Sequence, residues 1–279
     1  MPDPSNPLSA KDLYTGFHLK SSHSGPKRLI LVAIHGNEVC GFKAFETLVN
    51  NNQLKISAGT VEILLANPRA FEMNRRKLEV DLNRCIGKPL EFEDYTNQRV
   101  RIVQDAILRA DCMLDIHSTS CDGPAHSLPA SCKKSLELAA AMPVSYSIRE
   151  LAHSTTQGGT TLDFCLENNV AGVAVECGQH KEPGAINTAI ACIKAFLAFP
   201  DTPVISDITQ LECLGSRVVK HGFEFSQDYK GFDGLQPGQL IARYDGGEYR
   251  YQEDGPGRII MPNSDPKYGE DAFYLAREL

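Results

Sequence analysis

The stretch Lys27-Arg28-Leu29-Ile30-Leu31-Val32-Ala33-Ile34-His35-Gly36-Asn37-Glu38 decides the fold. Lys27 to Ile34 reads as a buried parallel strand, because a short continuous apolar run rich in β-branched residues needs cover on both faces. His35 then stands at the carboxyl end of that strand, which is where open α/β sheets bind ligands. Gly36 predicts a sharp turn that points Glu38 back toward His35. An imidazole and a carboxylate at this spacing are two of the three protein ligands of a His₂Glu catalytic zinc site, which keeps one coordination position open. The plainer reading of the same four residues is a loop histidine beside a glutamate that favours a helix dipole, so the rest of the chain has to decide.

Working outward, Val39 to Val49 carries apolar residues at helical spacing and stops at Asn50-Asn51-Asn52, giving a first β-α unit. Thr60 to Ala66 is a second strand, broken by Asn67-Pro68. Arg69 to Arg84 is a polar loop with Arg69, Arg75, Arg76, Lys77 and Arg84, either a solvated basic loop or a clamp for an anionic substrate, since guanidinium groups match carboxylates bidentately. A helix over Tyr95 to Ala110 leads into Asp111 to Ile116, a buried strand that delivers His117 to the position His35 occupies on its own strand. Asp115, on the same strand face as His117, is placed to orient its imidazole. Val170 to Val175 is a third such strand and ends at Glu176. A carboxylate there is costly to bury alone, and serving as general base beside a metal would account for it; a salt-bridged loop glutamate is the alternative.

Residues 1 to about 26 read as an irregular lead-in, Ser118 to Pro129 as a loop, Cys132 to Ala141 as a short helix and Pro143 to Ile148 as a strand. His126 and His153 fall in loops and are expected to be solvated. Gln157-Gly158-Gly159-Thr160-Thr161 lacks the Gly-Lys-Ser/Thr of a phosphate cradle and reads as the turn before a helix from Thr161 to Asn168. A long helix from Glu182 to Phe199 ends at Pro200-Asp201-Thr202-Pro203, the best linker. Beyond it, alternating short runs and Gly-rich turns predict an all-β unit. The expected organisation is an α/β domain over 1–203 and a small β domain over 204–279.

The 279 residues are 42% hydrophobic and 23% charged, which suits a globular chain with one sizeable core and a smaller second domain. A net charge of -7 argues against nucleic-acid or anionic-membrane surfaces. Nine scattered cysteines without a Cys-x-x-Cys pair suggest neither a disulfide framework nor a cysteine zinc site, and fit a reducing cytoplasm. No signal peptide is visible at the N-terminus, and no apolar run approaches the ~18 residues of a membrane span.

Five motifs together resemble one family: His35-Gly36-Asn37-Glu38, Asn67-Pro68-Arg69-Ala70, Asp81-Leu82-Asn83-Arg84, Asp115-Ile116-His117-Ser118-Thr119-Ser120 and Val175-Glu176-Cys177-Gly178. Their order and spacing are similar to those of the succinylglutamate desuccinylase and aspartoacylase group, zinc-dependent N-acyl amino acid hydrolases related in fold to zinc carboxypeptidases. The resemblance implies a mixed central sheet flanked by helices, with a small C-terminal β domain leaning over the cleft. It implies one Zn²⁺ per chain held by His35, Glu38 and His117, with Glu176 as base and Arg76 facing the developing oxyanion. Asn83 and Arg84 would hold a substrate carboxylate, and Tyr268, with Tyr274 as the alternative, would stand for the family's C-terminal tyrosine at the acyl pocket. The segment Thr161 to Val170 has no arginine, which N-acetylaspartate-selective members carry before that glutamate. The expected function is hydrolysis of a small anionic N-acyl amino acid, with a carboxypeptidase acting on short peptides and a non-catalytic binding protein as competing readings. A homo-oligomer is compatible with the sequence.

Overall fold

In the computed structural model of the chain, residues 10–88, 95–151, 158–201 and 207–279 are described. Strand β2 (Lys27–Val32) shows why the opening run had to be apolar throughout. Its Ile30 and Val32 enter one core and its Leu29 and Leu31 the other, all at most 1% exposed. Helices α1 (Cys40–Asn50) and α6 (Pro183–Ala198) supply the first core, and α3 (Tyr95–Leu108) with α5 (Thr161–Glu167) supplies the second. The sheet is therefore covered on both faces, as a parallel sheet requires.

Three further strands, β3 (Thr60–Leu65), β4 (Cys112–Thr119) and β7 (Ala171–Gln179), run parallel to β2 in the order β3-β2-β4-β7. Pairing sets Asp115 opposite Ala174 and His117 opposite Glu176. Both functional candidates lie inside their strands, because β4 runs three and β7 four residues beyond the apolar stretches that announce them. On the far side of β3, β1 (Phe17–Lys20) adds an antiparallel edge that the expected irregular lead-in did not include. Beyond β7 comes β5 (His126–Pro129), antiparallel, and then β6 (Tyr146–Arg149), parallel to β5.

The C-terminal part is all-β, as expected. Strand β8 (Thr209–Val218) pairs in parallel with β6, so this part continues the main sheet. Strands β14 (Asp271–Glu278), β13 (Gly257–Ile260) and β10 (Gly234–Leu235) follow outward, completing an 11-stranded mixed sheet among the described residues. A separate antiparallel sheet of β9 (Glu224–Phe225), β11 (Leu240–Tyr244) and β12 (Gly247–Arg250) closes over a third core around Tyr251, Ile259 and Phe273. The expected domain boundary at 203 lies outside the described residues, as does His153.

Two findings bear on the site. Gly36 and Asn37 form the expected turn, closed by the Glu38 N–H donating to the His35 carbonyl at 3.0 Å, while the left-handed residue is Ala33, at φ 53°. What demands a glycine at 36 is space, because a Cβ there would land within the backbone of Ala70 and Phe71. His126, expected to be solvated, is 2% exposed on β5, directly opposite Glu176. Its ring lies edge-on to Phe232 at 4.9 Å, its Nδ1 donates to the Pro124 carbonyl at 3.0 Å, and burial pushes its pKa down to about 4.

Gly36→Ala is expected to cost about 2 kcal/mol in urea unfolding, the range for forcing extra volume into packed structure. The His126 imidazole stays neutral in the fold while the unfolded chain takes up a proton below its ordinary value near 6.5. Stability should therefore fall by about 3 kcal/mol on this account as pH drops from about 7 to about 4. A His126→Gln protein should lose that part of the slope when the two proteins' unfolding curves are compared across the same range.

Candidate metal centre

Glu38 is 1% exposed and its carboxylate sits between two imidazoles. His35 Nδ1 lies 2.8 Å from Oε1, and His117 Nδ1 lies 2.9 Å from Oε2. The Ser118 backbone N–H also donates to Oε2 at 3.2 Å. The rings of His35 and His117 are 5.3 Å apart at their centroids and both are buried. One ligand atom from each of the three residues lies within 4.8 Å of the others, so the expected trio converges on a point that can hold an ion.

Both imidazoles face this point with Nδ1 and turn Nε2 toward a second carboxylate. Asp115 Oδ2 lies 3.1 Å from His117 Nε2 and also accepts from Thr161 Oγ1 at 2.8 Å. Asp81 Oδ1 lies 3.1 Å from His35 Nε2. Such carboxylate partners fix the tautomer and orientation of a metal-binding imidazole. Asp115 fills the role expected of it. Asp81 was not singled out, and the only signal was its place two residues before Asn83 in a motif whose later members drew attention.

Burial alone would lower the histidine pKa values and raise that of Glu38. The neighbouring charges outweigh it. The Glu38 and Asp81 carboxylates hold the His35 pKa above its ordinary value, and Asp115 with Glu38 holds that of His117 well above. The two imidazoles in turn keep the Glu38 pKa well below the usual carboxylate range. Positive charge is what this pocket favours, and a cation would replace the protons that supply it here.

Arg76 spans the open side. Its Nη1 donates to Glu38 Oε1 at 3.3 Å and its Nη2 to Asp81 Oδ2 at 3.2 Å, while the side chain stays about half exposed. Glu176 reaches the same cavity from β7, and its Oε2 is buried with no hydrogen-bond partner among the described residues. Burial pushes its pKa up to about 7 against the opposing pull of His117. Asn83 follows Asp81 on a 3-10 turn, Leu82–Arg84; its Oδ1 accepts from the Thr161 backbone at 2.9 Å, and Arg84 Nη1 donates to the Asn83 carbonyl at 2.9 Å.

Apart from Asp115, which is buried behind His117, these residues line one cavity of about 560 Å³, whose far wall comes from the C-terminal segment between Met261 and Tyr274. Tyr268 is not part of that lining. It is 67% exposed and stacks on His221 at 4.1 Å. Tyr274 is the tyrosine on the wall, its hydroxyl donating to Asp271 Oδ2 at 2.8 Å. His180 also lines the cavity, its Nδ1 2.8 Å from Ser118 Oγ, and no residue pattern announced it.

The fold and the His-Glu-His cavity fit the comparisons with known proteins. Residues 24–198 match the family described as the succinylglutamate desuccinylase/aspartoacylase catalytic domain. The chain belongs to that family. A probable aspartoacylase from Trichodesmium erythraeum (strain IMS101) is 29% identical over 110 residues, 34% of this chain and 36% of that protein. The chain thus spans about a third of the length of the curated relative it matches. Among solved structures, a succinylglutamate desuccinylase from Vibrio cholerae is similar at a TM-score of 0.76, with 13% identity over 94% of this chain and 90% of that one. Murine aminoacylase 3 is similar at 0.70, with 19% identity over 93% of this chain and 96% of the other. At such identities these two speak to the fold.

Replacing the carboxylate behind His117 with a neutral amide tests this arrangement. Asp115→Asn is expected to weaken Zn²⁺ binding roughly 10- to 100-fold in a chelator competition titration, the usual cost of losing such a partner.

Proposed function

We propose that the protein is a zinc-dependent hydrolase of the amide bond in a small N-acyl amino acid. The observation that carries this reading is the buried, unpartnered Oε2 of Glu176 in the cavity where His35, Glu38 and His117 converge. A carboxylate oxygen left without a donor in a buried setting is costly, and a proton in transit is the partner it suits. Two imidazole nitrogens and one carboxylate also match the donor set of catalytic zinc sites, so the residues fit the metal. When bound, Zn²⁺ would supply Lewis-acid polarisation of the carbonyl and acidify water.

The chain's own groups do the rest. Glu176 takes a proton from the attacking water and delivers it to the leaving amine nitrogen, which cannot depart as an anion. Its raised pKa keeps both protonation states accessible near neutrality. Arg76 lends guanidinium N–H groups to the carbonyl oxygen as charge builds on it. Asn83 and Arg84 take the substrate carboxylate, and the C-terminal segment around Tyr274 closes the cavity and limits chain length. Residues 204–279 act in this reading as a cover for the cleft.

Glu176→Gln is the direct test. The variant should bind Zn²⁺ as the parent does, by metal analysis after gel filtration, and lose about 10²- to 10⁴-fold in kcat on N-acyl amino acids. Normal turnover would remove Glu176 from the mechanism. Short dipeptides in the same assay separate deacylation from carboxypeptidase action, and faster cleavage of dipeptides would favour the latter.

A further inference from the structure

One polar side chain beside the point where His35, Glu38 and His117 converge takes no part in the proposed mechanism. Ser118 follows His117 on β4, is 2% exposed and lines the cavity. Its backbone N–H bonds Glu38 Oε2 at 3.2 Å. Its Oγ lies 2.8 Å from Nδ1 of His180, and Nε2 of the same ring lies 3.5 Å from Asn37 Nδ2. The His180 backbone is fixed as well, its N–H donating to the Thr119 carbonyl at 2.9 Å. One imidazole thus ties the turn that carries His35 and Glu38 to the end of the strand that carries His117.

The direction of these bonds decides what the hydroxyl can do. Burial lowers the His180 pKa, so at neutral pH the ring is neutral and carries a single N–H. An amide nitrogen only donates, so Asn37 Nδ2 makes Nε2 the acceptor and leaves the ring proton on Nδ1. Nδ1–H then donates to Ser118 Oγ, and the hydroxyl proton of Ser118 has no acceptor among the described residues. A buried O–H without an acceptor is costly, and a substrate can supply one. Arg76 bonds one oxygen of Glu38 at 3.3 Å while Ser118 bonds the other at 3.2 Å, so the two residues flank the carboxylate that the trio shares. The acceptor that a substrate brings to this point is its amide carbonyl oxygen.

We infer that the Ser118 hydroxyl is a second catalytic donor, bonding the substrate's carbonyl oxygen together with Arg76, and that His180 is the positioning residue that turns the hydroxyl proton toward the cavity. This rests on the hydrolase reading and extends it. As water adds to the carbonyl carbon, the C=O π pair moves onto oxygen, and Ser118 lends a hydrogen bond there while keeping its proton. The proton path through Glu176 is unchanged. Such a bond strengthens as its acceptor gains charge, so its effect falls on the tetrahedral state more than on bound substrate.

The probes are N-acetylglycine and its methylphosphonamidate analogue, whose tetrahedral phosphorus carries an anionic oxygen. Both are titrated calorimetrically into Zn²⁺-loaded Glu176→Gln protein, where turnover does not intrude, with and without Ser118→Ala, and chelator competition checks that Zn²⁺ is still held. Ser118→Ala should weaken the phosphonamidate by about 10²- to 10³-fold, the usual cost of one such donor, and leave N-acetylglycine nearly unchanged. His180→Leu should act in the same direction and add little to Ser118→Ala, because it works through that hydroxyl; His180→Gln, whose amide can still donate, should recover part of the loss. In the otherwise unaltered protein, Ser118→Ala should lower kcat on N-acetylglycine and leave KM nearly as it was. If Ser118→Ala fails to fold, the same comparison of probes with His180→Leu decides. Equal weakening of both probes, no weakening, or a phosphonamidate bound no more tightly than N-acetylglycine overturns the assignment, and additive losses in the double variant remove His180 from it. Selective weakening of the phosphonamidate in a protein that turns over no N-acyl amino acid would sink the hydrolase reading and keep the donor.

Discussion

The site depends on one buried carboxylate. Glu38 is nearly inaccessible to water, and it stays ionised only because His35 and His117 press against its two oxygens while the Ser118 amide and Arg76 add donors. A lone carboxylate so placed would neutralise instead. The surrounding structure follows from this demand. Strands β2 and β4 must end side by side to bring the two imidazoles together, and Asp81 and Asp115 must stand behind the rings to hold them in register. The result is alternating charge, carboxylate to imidazole to carboxylate, in which each member keeps its neighbour's charge in place.

Much of this was legible in the sequence because parallel strands have no solvated face. Largely apolar runs at residues 29–34, 60–66, 111–116 and 170–175 announce β2, β3, β4 and β7, and His35, His117 and Glu176, which follow three of them, are residues the cavity gathers. The trio His35, Glu38 and His117 could thus be chosen by position before any distance was known. What stayed hidden were the short strands. Phe-His-Leu-Lys in β1 and His-Ser-Leu-Pro in β5 are four residues each, too brief for alternation to register. With β5 invisible, His126 looked like a loop residue, whereas pairing with β7 buries it opposite Glu176.

Gly36 is instructive in a different way. A glycine after a strand suggests a backbone that needs left-handed freedom, and in this chain that conformation falls on Ala33 instead. The glycine is required by a neighbour 34 positions away, the Ala70-Phe71 peptide, and no local pattern encodes such a contact. Tyr268 and Tyr274 differ for a similar reason. Only the pairing of β14 with β13 and β8 decides which tyrosine turns inward, and a diffuse C-terminal pattern does not report that register.

The contact between Gly36 and the Ala70-Phe71 peptide ties two connections that could otherwise shift apart. The Gly36 amide also donates to the Arg76 carbonyl at 3.2 Å, so the turn bearing His35 is latched to the loop bearing Arg76, Asp81 and Arg84. In the proposed reaction, a shift of that loop as Arg84 meets the substrate carboxylate would reach the turn bearing His35 through this main-chain hydrogen bond.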